Sequence, residues 1–201
     1  QSLGGYHGAK LRRYQELVEH HLSKNPLNLQ VLNMLNAKYV VVPGAQGTPA
    51  VQLNPEACGN AWFVQEIKMV PTADEEINAL TNFKPKKTAV VDERFKPELG
   101  NLSVIKADSV NNKITLTNYK PNHLTYSSNA SSEQLAVFSE IFYRGNQDWK
   151  AYIDGQYKPH LRADYVLRAL VVPAGKHTIE FKFKPEVVAK GSKIDFIASF
   201  L

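Results

Sequence analysis

The chain changes its hydrophobic rhythm once, near residue 100, and the two rhythms predict two kinds of structure. Leu11, Tyr14, Leu17, Val18, His21 and Leu22 recur every three or four positions, so residues 9–23 are predicted as an amphipathic helix that stops before Pro26. Asn28 is placed to cap a second, shorter helix carrying Leu29, Leu32 and Leu35 through Asn36. Tyr39 to Val42 is an apolar run closed by Pro43-Gly44, a buried strand followed by a turn, and Gln46 to Pro49 continues the loop. Residues 62–70 read as a second strand. Ala73 to Leu80 reads as a helix with an acidic first turn of Asp74, Glu75 and Glu76, and Thr88 to Asp92 as a third strand. Together they predict a βαβ-like unit.

From about Leu102 the period becomes two and holds to residue 184. Seven strands follow from it, at 102–109, 113–119, 122–129, 134–142, 149–153, 164–172 and 177–184. Asn111-Asn112 and Asp154-Gly155 can take the positive φ of tight hairpins, and Pro173-Ala174-Gly175 makes another reversal. His177, Ile179, Phe181 and Phe183 alternate with Thr178, Glu180, Lys182 and Lys184, the pattern of a strand with one face in water. Strand 134–142 carries Leu135, Val137 and Ile141 on one side and Phe138 and Phe142 on the other, which predicts a central position. The expected fold class is therefore α+β. Residues 1–100 form a mixed α/β layer of two helices plus the βαβ-like unit, and residues 101–201 a seven-stranded antiparallel β-sandwich, jelly-roll or immunoglobulin-like. Ile194 to Leu201 reads either as a final strand or, preferred, as the first turns of a membrane helix capped by Ser192.

Composition narrows the function classes. A hydrophobic fraction of 43% places the chain among ordered globular proteins. Only one cysteine, Cys58, is present, which excludes an internal disulfide and a cysteine-rich metal site. Net charge is +5, with the cations scattered along the chain; Lys84, Lys86 and Lys87 form the densest run, read as a solvated turn. Nucleic acid is not an expected partner, and no run reaches the roughly 18 apolar residues of a membrane span.

Several motifs carry a family likeness. They are Gly4-Gly5-Tyr6-His7-Gly8-Ala9-Lys10-Leu11-Arg12-Arg13-Tyr14, Asn33-Met34-Leu35-Asn36-Ala37-Lys38-Tyr39, Asn54-Pro55-Glu56-Ala57-Cys58-Gly59-Asn60-Ala61-Trp62-Phe63-Val64, and Trp149-Lys150-Ala151-Tyr152-Ile153-Asp154-Gly155, followed by Arg168 to His177. In these stretches the chain resembles the C-terminal extracytoplasmic region of the YfhO-like family of bacterial membrane proteins, in the form common among Bacteroidetes. The resemblance implies a parent that spans the membrane many times and transfers a sugar from a polyprenyl phosphate to a cell-envelope polymer or lipid. It implies a catalytic carboxylate in a loop between membrane helices, outside this sequence. This domain would then be a lid or acceptor-binding platform on the periplasmic or outer side. Its partners would be the membrane-spanning remainder of the same polypeptide, envelope glycans and lipid headgroups.

No constellation of an independent enzyme is visible, so no catalytic residue, metal or cofactor is expected in this chain. His20-His21 point in different directions on a helix. Asp74, Glu75 and Glu76 suit the positive end of a helix better than acid–base chemistry. Gly4, Gly5 and Gly8 lack the preceding strand and the terminal Lys-Ser/Thr of a phosphate loop. Sugar recognition asks for aromatic faces and planar amides, which makes Asn60, Trp62, Trp149 and Tyr152 the candidate substrate-binding residues. A free-standing carbohydrate-binding or adhesive module is the alternative reading.

Overall fold

A computed structural model describes residue 3 and residues 11–44, 47–102, 112–143, 145–185, 187–188 and 191. Apart from Leu102, the strand expected at 102–109 lies outside the described residues, as do the Asn111 half of its hairpin, the terminal segment 194–201 and residues 4–10. Among those described, the protein is mixed α+β, with mostly antiparallel sheets and a few short helices.

The opening helix is α1 (Arg12–Leu17), which runs into a π turn at Val18–Leu22. His21 is buried there and bonds the Ile77 carbonyl through Nε2 at 2.8 Å. The Asn28 amide donates to His21 Nδ1 at 3.2 Å, so Nε2 carries the proton. The Asn28 carbonyl oxygen meanwhile caps α2 (Leu29–Met34), accepting from the Gln30 and Val31 amides. The run at Tyr39 is a strand, β1 (Tyr39–Pro43), but it is not buried, and the expected loop leads directly into β2 (Pro49–Leu53), its antiparallel partner in a separate two-stranded sheet.

The single strand expected at 62–70 is two strands. β3 (Ala61–Phe63) and β4 (Glu66–Val70) enter different sheets, because Val64 and Gln65 turn the chain from one layer into the next. β4, α3 (Ala73–Ala79) and β5 (Thr88–Asp92) make the βαβ unit, with β4 and β5 parallel. Thr72 caps α3 by accepting from the Glu75 amide at 3.2 Å. A short α4 (Lys96–Leu99) ends at Gly100, whose φ is +58°.

Eight strands follow: β6 (Lys113–Lys120), β7 (His123–Ala130), β8 (Gln134–Ile141), β9 (Trp149–Ile153), β10 (Gln156–Lys158), β11 (Leu161–Ala163), β12 (Leu167–Val172) and β13 (Gly175–Phe183). One sheet has the order β10-β9-β13-β7-β6 and the other β11-β12-β8-β3. The strand expected at 164–172 begins only at Leu167, because Asp164 and Tyr165 take φ of +50° and +70° in a turn that separates it from β11.

The layers are read from side-chain parity. Leu124, Tyr126, Ala151, Ile153, Ile179 and Phe181 of the five-stranded sheet meet Ala136, Phe138, Leu170 and Val172 of the four-stranded sheet in one core. Leu135, Val137, Leu167 and Ala169 point the other way, into a second core shared with Leu17, Val31, Ile77, Leu80 and Val90. The four-stranded sheet is therefore covered on both faces, and β8 is central, as its two-sided apolar pattern requires.

Candidate functional site

The four residues picked from sequence fall in two places. Asn60 and Trp62 are on or beside β3, at the edge of the four-stranded sheet, whereas Trp149 and Tyr152 are on β9 in the other sheet. Trp62 is buried in the second core, and its indole N–H donates to the Pro85 carbonyl at 2.7 Å. The Asn60 carbonyl accepts from the Ser139 amide at 3.1 Å. Trp149 and Tyr152, three apart on a strand, point to opposite faces. The Trp149 ring lies under the Arg168 guanidinium at 4.0 Å and beside Phe183. Tyr152 lies on the outer face near Tyr157, with the Lys182 and Lys184 ammonium groups 5.2 and 5.5 Å from its ring.

A groove of about 320 Å³ lies where the edge strands β3 and β6 of the two sheets run side by side without pairing. Trp62, Phe63 and Ile114 give it an apolar wall, Gln65, Asn112 and Gln134 three primary amides, and Lys86 and Lys113 two cations. The Trp62–Pro85 bond holds the Lys84–Lys87 turn against this wall, so Lys86 of the densest basic run borders the groove. Asn112 accepts from the Ser131 amide and hydroxyl at 2.9 and 3.2 Å, which fixes its carbonyl and leaves its NH₂ as a donor for a ligand. Lys86 pairs with Glu56 at 3.4 Å, both well exposed.

Cys58 also lines this groove, but burial pushes its thiol up to about 12, so it stays protonated and is no nucleophile at neutral pH. Among the described residues no group of three or more His, Cys, Asp or Glu is arranged to hold a metal ion. The groove therefore offers hydrogen bonds, a hydrophobic wall and positive charge, the equipment of binding.

A denser polar cluster lies between the layers. Arg162 donates to Glu76 at 2.8 Å, Glu76 also accepts from the Tyr165 amide at 3.1 Å, and Arg13 lies 3.6 Å from the same carboxylate. Arg162 is also 3.6 Å from Asp92, which Arg94 holds at 2.7 Å. Asp164 accepts from the Val90 amide at 2.8 Å and returns its own amide to the Val90 carbonyl at 2.8 Å. This pairing ties the β11–β12 turn to β5, so the cluster clamps two layers together. Glu76 stands in the first turn of α3 with Asp74 and Glu75, as the sequence suggests, but its carboxylate is buried and shares the inward face with Ile77 and Leu80.

Compared with protein-family models, with curated proteins and with solved structures, the chain finds no match in any of the three.

Proposed function

We propose that this chain is a binding domain and not the seat of a reaction. It would be the extracytoplasmic part of a multi-spanning membrane protein of the YfhO-like kind, serving as lid or acceptor-binding platform for a polyprenyl-phosphate-sugar-dependent glycosyltransferase that acts on cell-envelope polymers or lipids. The observation that carries the binding half is the groove between β3 and β6, with three primary amides and two lysines against an apolar wall. Planar amides match the paired donors and acceptors of sugar hydroxyls, and the volume lies at the lower end of the range for small-ligand sites. The membrane setting rests on the sequence resemblance. Its partners would be the membrane-spanning remainder of the polypeptide and the glycan presented to it, on a scaffold we read as a jelly-roll or immunoglobulin-like variant. A free-standing carbohydrate-binding module would use the same groove, and a neighbouring reading frame without hydrophobic spans would favour it.

Calorimetric titration of the chain with envelope polysaccharide fragments tests the reading. Gln65→Ala and Lys113→Ala should each weaken binding about fivefold, the equivalent of one lost hydrogen bond. Tyr152→Ala should leave it unchanged if the groove is the site, or weaken it if the outer face of β9 is. Absence of binding at millimolar ligand would overturn the proposal.

A further inference from the structure

Four of the most exposed large apolar side chains among the described residues are gathered on one element. Tyr39, Val41, Val51 and Leu53 are 66–67% exposed, and the register Tyr39↔Leu53 and Val41↔Val51 puts them in two cross-strand pairs on one face of the β1–β2 hairpin. No other strand among the described residues pairs with the hairpin. Charged residues make up 21% of the chain, about three in any fifteen, yet residues 39–53 contain none. An isolated two-stranded sheet is marginal in water, and an apolar face of this kind marks an interaction surface.

We propose that this hairpin is a membrane-interface finger whose apolar face seats on a phospholipid bilayer. Three features select lipid over a second protein. First, Pro43 and Pro49 face each other at the far end of the ladder and supply no backbone donor, which discourages edge pairing with another strand. Second, described amides of the turn bond within the hairpin itself: the Gly44 amide donates to the Thr48 carbonyl at 2.9 Å and the Gly47 amide to the Gly44 carbonyl at 3.3 Å. A tip entering the acyl boundary must do this, since lipid offers no partner. Third, the apolar face is ordered from root to turn. Tyr39 lies beside Lys38 at the root and Val41 and Val51 lie farther out, which matches an ammonium and a phenol at the headgroup level with aliphatic side chains deeper. Strands of five residues reach about 17 Å, enough for the roughly 5–10 Å depth of interfacial seating.

The root is held rigidly. Asn54 donates through its side chain to Asn33 Oδ1 at 2.8 Å and to the Ala37 carbonyl at 2.9 Å, and through its backbone to the Lys38 carbonyl at 2.8 Å. The finger thus projects from α2 and its own base in a fixed direction. The net charge of +5 and Lys38 at the root complement anionic headgroups.

Flotation with neutral phosphatidylcholine vesicles, and with vesicles containing phosphatidylglycerol, decides the matter. The chain should float with both, more strongly with the anionic vesicles at low salt. Val41→Asp and Val51→Asp, each at an exposed position, should each lower partitioning at least tenfold without moving the thermal midpoint. Lys38→Gln should affect the anionic vesicles alone. In Val41→Trp, indole fluorescence should shift to the blue on mixing and be quenched by brominated lipid. A chain that stays unbound with both vesicles, or aspartate variants that float as well as the parent, would overturn the proposal. So would a dimer in sedimentation velocity that the same variants dissolve, because a second copy would then cover the face. Glycan titration is independent of these outcomes, so loss of the finger leaves the groove standing.

Discussion

Two regions of the described protein bury ionisable groups, the clamp and the sandwich interior, and they are built differently. In the clamp between the layers, Glu76 is 0% exposed and Asp92 2%, but both Glu76 oxygens and the Asp92 carboxylate meet arginines or backbone amides. Inside the sandwich, Arg168 is buried at a bulge between β8 and β12, donating Nε–H to the Ile141 carbonyl at 3.1 Å. It otherwise faces rings, Trp149 at 4.0 Å and Phe181 at 5.4 Å. His160 lies between Phe142 and Phe181, and among the described residues neither its ring nitrogens nor the Tyr126 hydroxyl has a hydrogen-bond partner. The clamp repays desolvation mainly with pairing, although Arg162 Nε and Asp164 Oδ2 have no hydrogen-bond partner among the described residues. The sandwich interior repays it with one backbone carbonyl, π faces and packing, so burial alone does not tell which polar groups stabilise a fold.

The largest effect should come from breaking the clamp. Glu76→Ala removes the shared acceptor of Arg162, Arg13 and the Tyr165 amide, leaving Arg162 buried with only the more distant Asp92. A loss of about 3–5 kcal/mol in denaturant-unfolding free energy is expected, the cost of orphaning one side of a buried ion pair. A loss below 1 kcal/mol would show that Arg162 finds water and that the layers are not clamped here.

Protons separate the two regions next. Burial lifts Asp164 in the clamp from 3.8 to about 8, so its folded pKa lies above its unfolded one. Its contribution is complete below pH 3.8 and drains away as pH rises towards 8. Burial depresses His160 in the sandwich from 6.5 to about 3, so its contribution is complete above pH 6.5 and is lost as pH falls towards 3. Each slope is about 1.4 kcal/mol per pH unit. They oppose one another between pH 3.8 and 6.5, which predicts a plateau there and a decline on either side from these two groups. In unfolding titrations at pH 4.5, 6 and 8, Asp164→Asn should abolish the decline above 6.5 and uncover a rise with pH below it. His160→Leu should uncover the Asp164 decline from pH 3.8 upward. Curves unchanged by both substitutions would mean that water reaches both groups.

How much of this was legible in the sequence follows from what each element faces. β13 showed its period because one face meets water, and β8 showed its central place because both faces are apolar. The junction of β3 and β4 does not show, since only Val64 and Gln65 separate the strands and no Gly, Pro, Asn or Asp marks a turn there. β10 and β11 were missed because three residues are too few to establish a period. β2 was missed because the Gly- and Pro-containing stretch before it read as loop. At the groove, Trp62 is the one lining residue that the sequence singles out for sugar chemistry, whereas Gln65, Asn112 and Gln134 are dispersed in sequence and only the packing of the two sheets gathers them. Glu76 did carry a signal: it sits one residue before Ile77 and four before Leu80, on the apolar stripe, where a solvated carboxylate does not belong.

The smallest effect gives the sharpest test of the sandwich side. Tyr126 is 0% exposed, packed edge-on against Phe138 at 4.9 Å and Phe181 at 6.2 Å between ring centroids. Burial raises its phenol above the ordinary range, so the group stays neutral and its cost is that of one unbonded hydroxyl. Tyr126→Phe keeps both ring contacts and removes only that oxygen. If the hydroxyl is orphaned, the variant should gain about 1 kcal/mol in denaturant unfolding, in the range for relief of one unsatisfied polar group. The matched substitution in the clamp, Tyr165→Phe, deletes a hydroxyl that donates to Glu16 at 2.6 Å, and should lose a similar amount. Opposite signs from the same chemical change would establish that pairing separates the two regions. A loss in both would show that a water molecule or ligand meets the Tyr126 oxygen inside the sandwich, and the interior would then have to be counted as partnered too.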